Sequence, residues 1–247
     1  MKITFLGTNG WYDTDTGNTL CILIDSADFN IILDAGTGLA KVDRFIDQSK
    51  QTFIFLSHFH LDHIAGLHTL TKLRFTQPLV FLIGEGFTAL LKSFLNKPFT
   101  CPMDQLPFKT DILELPKQQG LLPFPVITLD LIHPDPTNGI RLTLEDKIVT
   151  FCPDTGYSSN CVELGKDANL LITECAFKPG ELSTTWPHLN PEVAAQIAYE
   201  SRTNKLVLTH FDASRYKTLS ERESALIAAR LTFPETIISI DGLQIEI

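Results

Sequence analysis

The sequence predicts a layered α/β fold with its helices on the outside. Short segments rich in β-branched and aromatic residues alternate with segments of helical hydrophobic spacing through both halves of the chain. Hydrophobic residues make up 44% and charged residues 20% of the 247 residues, which excludes a disordered or fibrous chain. A single domain over residues 1–247 is expected, because one domain can reach this length.

In the first half, strands are predicted where short apolar runs are separated by Gly, Asp and Asn. These are Ile3–Leu6, Thr19–Ile24, Asn30–Leu33, Phe53–Leu56 and Leu79–Ile83. Apolar residues three apart predict a helix over Leu61–Phe75, and a second helix is predicted over Phe87–Leu95. Residues 96–125 contain six prolines, so this segment is expected to wrap the surface and to face the substrate.

The second half repeats the alternation, with strands predicted at Val126–Ile132, Ile140–Leu144, Lys147–Phe151, Leu170–Thr173 and Lys205–Thr209. Asn190-Pro191-Glu192 predicts a helix start, with Asn as N-cap and Pro in the first turn. A capping box at Ser220-Glu221-Arg222-Glu223 predicts a helix to about Leu231. Thr236–Ile240 and Leu243–Ile247 are expected to form a hairpin around Asp241-Gly242.

The charge and cysteine content narrow the classes of function. A net charge of −9 argues against broad contact with nucleic acid, which needs clustered Lys and Arg. The five cysteines are odd in number and lack C-x-x-C spacing, so neither a disulfide framework nor a cysteine-type zinc site is expected. The absence of a signal-peptide pattern and of a long apolar run leads us to expect a cytoplasmic protein without membrane contact.

The densest group of ligand-type side chains lies in Ser57-His58-Phe59-His60-Leu61-Asp62-His63, after a predicted strand. Three imidazoles and a carboxylate this close would crowd one another unless they bind a metal such as zinc, manganese or iron. His58 and His60 can point the same way from extended backbone, while Asp62 and His63 can face a second ion past the turn. The pattern therefore predicts two ions about 3.5–4 Å apart.

Three further candidate ligands lie far along the chain, each close after a predicted strand. They are His133, Asp154 and His210. Because α/β folds build their sites at the C-terminal ends of strands, these side chains are expected to complete the two metal sites. The segments around His58 and His210 also look alike, which indicates two similar halves facing each other.

These residues resemble the signature of the metallo-β-lactamase superfamily, in which His-x-His-x-Asp-His follows a strand. The resemblance covers nearly the whole chain, and further segments look like the ribonuclease Z and phosphodiesterase branch. Those segments are Phe5-Leu6-Gly7-Thr8, Thr16-Gly17-Asn18, Leu33-Asp34-Ala35-Gly36, Pro78-Leu79-Val80 with Gly84, Leu131-Ile132-His133, Pro153-Asp154-Thr155-Gly156, Thr209-His210-Phe211, Ser214-Arg215-Tyr216 and Asp241-Gly242.

The resemblance implies a four-layer αββα sandwich, the metallo-β-lactamase fold. It also implies how the ligands divide: one metal held by His58, His60 and His133, the other by Asp62, His63 and His210, and Asp154 bridging them. Asp34 would be a buried structural carboxylate beside the site.

One departure separates this chain from ribonuclease Z, which carries a long Gly- and Pro-rich arm that grips tRNA. The arm is inserted between the counterparts of His133 and Asp154, where only twenty residues stand here, enough for two strands and a turn at Glu145-Asp146. Together with the acidic charge, the missing arm favours a small substrate over tRNA.

The expected mechanism uses both metals to lower the pKa of a shared water, giving a bridging hydroxide as nucleophile, and to neutralise phosphoryl charge. Asp62 is expected to orient or deprotonate that water. His188 matches the position of a histidine that ribonuclease Z-like enzymes use near the scissile phosphate, so it is the candidate acid. Glu174, at the end of a predicted strand, could orient His188.

The favoured function is therefore a dinuclear metal-dependent hydrolase, a phosphodiesterase acting on a small or cyclic phosphodiester. Zinc is the favoured metal, with manganese and iron as alternatives. A tRNA 3′-end processing endonuclease and a thioester or lactone hydrolase of the same fold remain alternatives, as does a catalytically silent metal-binding domain. Relatives commonly dimerise beside the site, so a homodimer is left open.

Four other side chains have roles that the sequence leaves less defined. Trp11 and Tyr12 are expected either to line the pocket mouth or to cap the core. Arg215 would contact substrate or pack against the helix that follows it. His68 lies five residues after His63 on the predicted helix, so it is expected to be structural.

Overall fold

A computed structural model describes all 247 residues, Met1–Ile247. The strands are β1 (Lys2–Gly7), β2 (Asn9–Gly10), β3 (Cys21–Asp25), β4 (Phe29–Leu33), β5 (Gln51–Phe55), β6 (Leu79–Gly84), β7 (Thr110–Leu115), β8 (Val126–Asp130), β9 (Asn138–Leu144), β10 (Lys147–Cys152), β11 (Leu170–Glu174), β12 (Leu206–Thr209), β13 (Phe211–Asp212), β14 (Thr236–Ile238) and β15 (Gln244–Glu246). The α-helices are α1 (Leu61–Ile64), α2 (Thr88–Phe94), α3 (Ser159–Gly165), α4 (Pro191–Ser201) and α5 (Leu219–Arg230). Shorter 3-10 segments are Thr37–Arg44, Ala65–Lys72, Met103–Gln105 and Gln119–Leu121.

The strands form two large mixed sheets and one small one. The first sheet has the order β15-β1-β3-β4-β5-β6-β7, and the second has the order β14-β12-β11-β10-β9-β8. Strands β4 to β7 run parallel, as do β10, β11, β12 and β14. The two-residue strands β13 and β2 pair in parallel between the large sheets, next to the site described below.

Three separate apolar clusters define four layers. The first lies between the sheets and includes Phe5 and Phe55 from one and Phe151 from the other. The second packs the outer face of the first sheet against its 3-10 segments and α2, and the third packs the second sheet against α3, α4 and α5. Successive strand residues alternate between clusters, as Leu170, Leu171 and Ile172 do, because both faces of each sheet are covered.

The structure therefore confirms the helix–sheet–sheet–helix arrangement. Each strand predicted up to Lys205–Thr209 is present within a few residues, and the turn at Glu145-Asp146 joins β9 to β10 with both residues at positive φ. Helix α4 begins as predicted, with the Asn190 side chain accepting from Val193 N and Pro191 in the first turn. No helix in the chain combines the length and the hydropathy that crossing a membrane requires.

The predicted helix over Leu61–Phe75 is wrong in its extent. Only α1 is α-helical, and the next eight residues form 3-10 turns. The reason is tertiary: Gly66 N donates to Ala35 O and His63 O accepts from Ala35 N, so these groups do not make regular helical bonds. A Cβ at Gly66 would lie 2.0 Å from Gly36 O, so glycine permits this close approach.

The predicted C-terminal hairpin is also wrong. Strand β14 pairs with β12 in the second sheet, whereas β15 pairs with β1 in the first. The turn between them is held by the Asp241 carboxylate, which accepts from Thr8 Oγ1, Asn18 N and Lys41 Nζ. These long-range bonds place the turn at the edge between the sheets, so the last strand crosses over instead of folding back.

The capping box of α5 lies two residues earlier than predicted. Thr218 is the N-cap: its hydroxyl accepts from Glu221 N, and the Glu221 carboxylate accepts from Thr218 N. Both Thr218 and Ser220 fit the S/T-x-x-E pattern. Lys178 Nζ donates to the Glu221 carboxylate at 3.0 Å. This long-range contact favours Thr218 over Ser220 as the N-cap.

Arg222 of α5 is completely buried, and its guanidinium donates to Thr8 Oγ1, Asn9 Oδ1 and Ser239 O. We expect Arg222→Leu to lower the free energy of unfolding by about 3 kcal/mol, because these acceptors lose a charged donor in a site that water does not reach. Denaturant unfolding measures the change. The same substitution at the exposed Arg44 should change stability by less than about 0.5 kcal/mol. Equal stability of the two variants would contradict the expectation.

Candidate metal centre

The candidate ligands converge at one edge of the two sheets because each follows a strand that ends there. His58 and His60 lie in the extended segment after β5, and Asp62 and His63 lie in α1. The distant members His133, Asp154 and His210 follow β8, β10 and β12 respectively. The structure thus brings together all seven residues that the sequence predicted as ligands.

The seven side chains form two groups whose donor atoms lie within 4.8 Å of one another. One group is His58, His60, His133 and Asp154; the other is Asp62, His63 and His210. Asp154 lies between the groups, with Oδ1 at 3.2 Å from His63 Nε2 and 3.3 Å from His210 Nε2. Its other oxygen, Oδ2, is 4.0 Å from His58 Nε2 and 3.9 Å from His133 Nε2.

Several of these donor atoms have no partner within the protein. Nε2 of His58 and Nε2 of His133 are buried without a hydrogen bond, although buried polar atoms are almost always paired. Both nitrogens face Asp154 at distances too long for a hydrogen bond. A set of convergent nitrogen and oxygen donors, some of them unpaired within the protein, fits divalent ions such as zinc, manganese or iron.

Metal binding needs neutral imidazoles and ionised carboxylates, and some of the candidate ligands are already in these states. Burial lowers the pKa of His58 and of His133, so these imidazoles are neutral at pH 7. Burial opposes ionisation of Asp62 and Asp154, but the charges of His63 and His210 outweigh it and hold both carboxyl pKa values below their usual range. The same carboxylates raise the pKa of His63 and His210 against the effect of burial. Metal binding would therefore release protons from this group.

Asp34 occupies the structural position that the sequence analysis expected. It is fully buried, and its carboxylate accepts from Ser57 N, Ser57 Oγ and His63 Nδ1 at 2.7–2.8 Å. The bond to Nδ1 turns Nε2 of His63 toward Asp154. A carboxylate that orients a histidine in this way is typical of metal-binding sites.

Backbone conformation around the site is unusual. Asp34, His210 and Trp11 all have positive φ, which non-glycine residues adopt rarely. Gly10 packs against the His210 ring, since a Cβ there would lie 2.6 Å from Cε1. The Trp11 N–H donates to Asp62 Oδ2 at 2.7 Å, so the loop after β2 also positions this carboxylate. Neither contact is predicted by the sequence, in which only the glycine at position 10 is a signal of close packing.

His188 lies beside both groups, with its ring centre 5.8 Å from that of His133 and 6.2 Å from that of His210. Its Nδ1 is 2.7 Å from Oε1 of Glu174, which is fully buried and also accepts from Thr155 N. Burial of the imidazole disfavours its charge, but the charge and hydrogen bond of Glu174 outweigh this and raise the pKa of His188 to about 9. The imidazole is therefore protonated at neutral pH.

A cavity of about 460 Å³ opens onto these residues. Trp11 and Tyr12 line it, which selects the pocket mouth over the core for both. The expectation that residues 96–125 face the substrate is wrong, because that segment contains β7, the last strand at the edge of the first sheet, and contributes nothing to the lining. The wall comes instead from Ala176, Phe177, Ser183 and Trp186, which lie between β11 and α4.

The two remaining polar candidates, His68 and Arg215, have different surroundings. His68 is exposed and bonds only the Ala65 carbonyl, consistent with a structural role. Arg215 lines the cavity, and its guanidinium binds Glu181 and Asp212 and covers the Phe177 ring. Asp135, which the sequence analysis did not select, lies with Oδ2 at 2.8 Å from His60 Nε2.

A family described as the beta-lactamase superfamily domain matches residues 29–211, which hold every candidate ligand. The chain belongs to this family. Within the superfamily it is 28% identical to a probable metallo-hydrolase, YhfI, of Bacillus subtilis, over 85% of this chain and 86% of the relative. It is also 28% identical to a ribonuclease Z of Picosynechococcus, over 99% of this chain and 96% of the relative.

Solved structures confirm the fold of this beta-lactamase superfamily member. The crystal structure of YhfI, a metallo-beta-lactamase fold protein, superposes with a TM-score of 0.82 at 24% identity, covering 99% of both chains. The alignment with the ribonuclease Z runs over 312 positions, so that relative carries residues that this chain lacks. Together these matches establish a metal-dependent hydrolase of ribonuclease Z-like type.

Proposed function

We propose that this superfamily member is a phosphodiesterase that holds two divalent ions and cleaves a small or cyclic phosphodiester. The observation that carries the proposal is the position of Asp154, which has one oxygen toward each of two donor groups, next to a histidine, His188, that is paired with the buried Glu174 carboxylate. A paired metal site beside a proton donor suits a reaction in which charge develops on a phosphoryl group and on a leaving oxygen.

The ligand assignment follows the two groups. His58, His60 and His133 would hold one ion, Asp62, His63 and His210 the other, and Asp154 would contact both. Zinc is the favoured ion for this donor set, with manganese and iron as alternatives. When bound, two such ions activate water near neutral pH and neutralise phosphoryl charge.

The protein side chains supply the proton transfers. Asp62 orients the attacking water and accepts its proton, and the Trp11 N–H holds Oδ2 of that carboxylate in place. His188 carries its second proton on Nε2, because Nδ1 is bound to Glu174, and donates it to the leaving oxygen. Glu174 keeps the imidazole charged and fixes its orientation.

Three observations favour a small substrate over tRNA. The cavity of about 460 Å³ lies in the size range of small-molecule sites. Between His133 and Asp154 the chain folds into β9 and β10 with a two-residue turn, which leaves no room for a tRNA-gripping arm. The net charge of −9 adds no attraction for a long polyanion outside the metal site.

Processing of tRNA 3′ ends is kept as the second candidate, because the ribonuclease Z match spans 99% of the chain. One experiment separates the candidates: metal analysis of the purified protein, followed by turnover of 2′,3′- and 3′,5′-cyclic AMP, a precursor tRNA and a thioester. We expect about two metal ions per chain. We also expect turnover of a small phosphodiester that a chelator abolishes and added metal restores.

Two results would redirect the assignment. Faster cleavage of the precursor tRNA than of every cyclic nucleotide would promote the second candidate. Full turnover of the thioester alone would place the chain among the non-phosphate hydrolases of this fold.

A further inference from the structure

The apolar side chains that line the cavity are almost all aromatic. Both tryptophans of the chain line it, and Tyr12 and Phe177 complete the set. The remaining apolar residue of the lining is Ala176, and no Leu, Ile, Val or Met lines the cavity. An acyl chain or other flexible apolar group is normally met by aliphatic side chains, whereas flat aromatic faces suit a flat ligand.

The aromatic rings are exposed but held in position. Trp186 is 42% exposed, and its ring is parallel to that of His60, with 6.2 Å between centres and 5° between planes. Trp11 is 62% exposed and Tyr12 45% exposed. Large apolar side chains exposed at the mouth of a cavity indicate a binding surface.

Hydrogen bonds hold the loop that carries Trp11 and Tyr12 in its conformation. The Asn9 side chain donates to Thr14 Oγ1 and to Gly17 O, closing the loop from within. Trp11 itself has φ of 75°, a conformation that costs free energy for a bulky residue. The loop therefore presents two adjacent rings at the cavity at a conformational cost, which favours a role in binding over a role in packing.

We propose that the substrate is a nucleotide phosphodiester whose base stacks against Trp186 and the Trp11–Tyr12 loop while its phosphate lies at the metal groups. The inference rests on the proposed phosphodiesterase function and selects, among small phosphodiesters, those with a planar base. Polar groups at the same mouth, Ser183, Asp212 and Ser214, can meet the edge of a base.

The first test is binding, measured by calorimetry on the metal-loaded protein with AMP and with ribose 5-phosphate. We expect AMP to bind at least about tenfold more tightly than ribose 5-phosphate, and Trp186→Leu to remove about 5- to 150-fold of that affinity. Trp186→Phe should retain most of it. Tyr199→Leu, which removes an exposed ring on α4 that does not line the cavity, should leave binding unchanged.

The second test compares turnover of 2′,3′-cyclic AMP with that of base-free methyl riboside 2′,3′-cyclic phosphate. We expect Trp186→Leu to reduce kcat/KM about 5- to 150-fold for the nucleotide and less than about threefold for the base-free compound. Equal losses for both would mean that Trp186 acts only by packing on His60, and the inference would be overturned.

The two tests distinguish a wrong phosphodiesterase assignment from a wrong assignment of the base-binding site. If neither cyclic phosphate is turned over, the phosphodiesterase proposal fails, and the AMP titration still decides whether a base binds at the aromatic wall. If both are turned over with equal kcat/KM in the unmodified protein, the phosphodiesterase stands and the base site is rejected.

Discussion

Replacing Asp154 with alanine is expected to reduce turnover of a phosphodiester by about 10³-fold or more and to lower the metal content well below two ions per chain. Asp154 is the one carboxylate with an oxygen toward each donor group, so in the proposed centre its loss would remove a ligand from both at once. Metal analysis by mass spectrometry and steady-state kinetics measure the two effects.

The control for Asp154→Ala is Asp111→Ala, the same change at an exposed carboxylate on β7. It should leave metal content and turnover unchanged. Circular dichroism of both variants checks that they are folded. Two ions per chain and normal kcat in Asp154→Ala would show that the two donor groups do not share this ligand, and the assignment of the centre would be wrong.

The second large effect is expected for His188→Ala, which should keep the metal content while kcat falls about 10²- to 10⁴-fold. The imidazole lies beside both donor groups and is bound to the Glu174 carboxylate, which is why we propose that it protonates the leaving oxygen. His68→Ala, which removes an exposed histidine, is the matched control and should have no effect. An unchanged kcat in His188→Ala would remove this residue from the mechanism.

The pH profile gives an independent test of the His188–Glu174 pair. A general acid must be protonated, so kcat should fall as the pH rises through the pKa of His188, which Glu174 raises to about 9 against the effect of burial. Glu174→Gln removes the charge that raises this pKa. The alkaline limb should then move to lower pH, with a larger loss of kcat at pH 8 than at pH 6. A limb that stays in place would mean that another group titrates.

Much of the candidate metal centre could be predicted from the sequence, because the patterns that indicate its residues are local. The cluster from His58 to His63 needs only a strand followed by a helical turn, and each distant ligand comes soon after a strand that is itself a local pattern. Parallel strands end at one edge of a sheet, so these separate signals point to one place. The start of α4 was equally local, since its cap and its proline are adjacent.

Other features depend on contacts that no local pattern contains. Alternating apolar residues identify β14 and β15 as strands but do not say which sheet each joins, and bonds from Thr8, Asn18 and Lys41 to Asp241 make that choice. The helix after His63 stops early because its backbone groups bond to Ala35. In both places long-range hydrogen bonds outweigh the local preference.

Within the site itself, the sequence predicts some features and only the folded structure decides others. Residue types and strand ends were enough to predict the candidate metal ligands, and the candidate proton donor came from the family resemblance. The aromatic lining of the cavity required the folded chain, because Trp11 and Trp186 lie 175 positions apart and line one cavity only when the loop after β2 and the segment before α4 pack around the same edge. Ligand chemistry is encoded in side chains at strand ends, whereas the shape of a cavity is set by how distant segments pack.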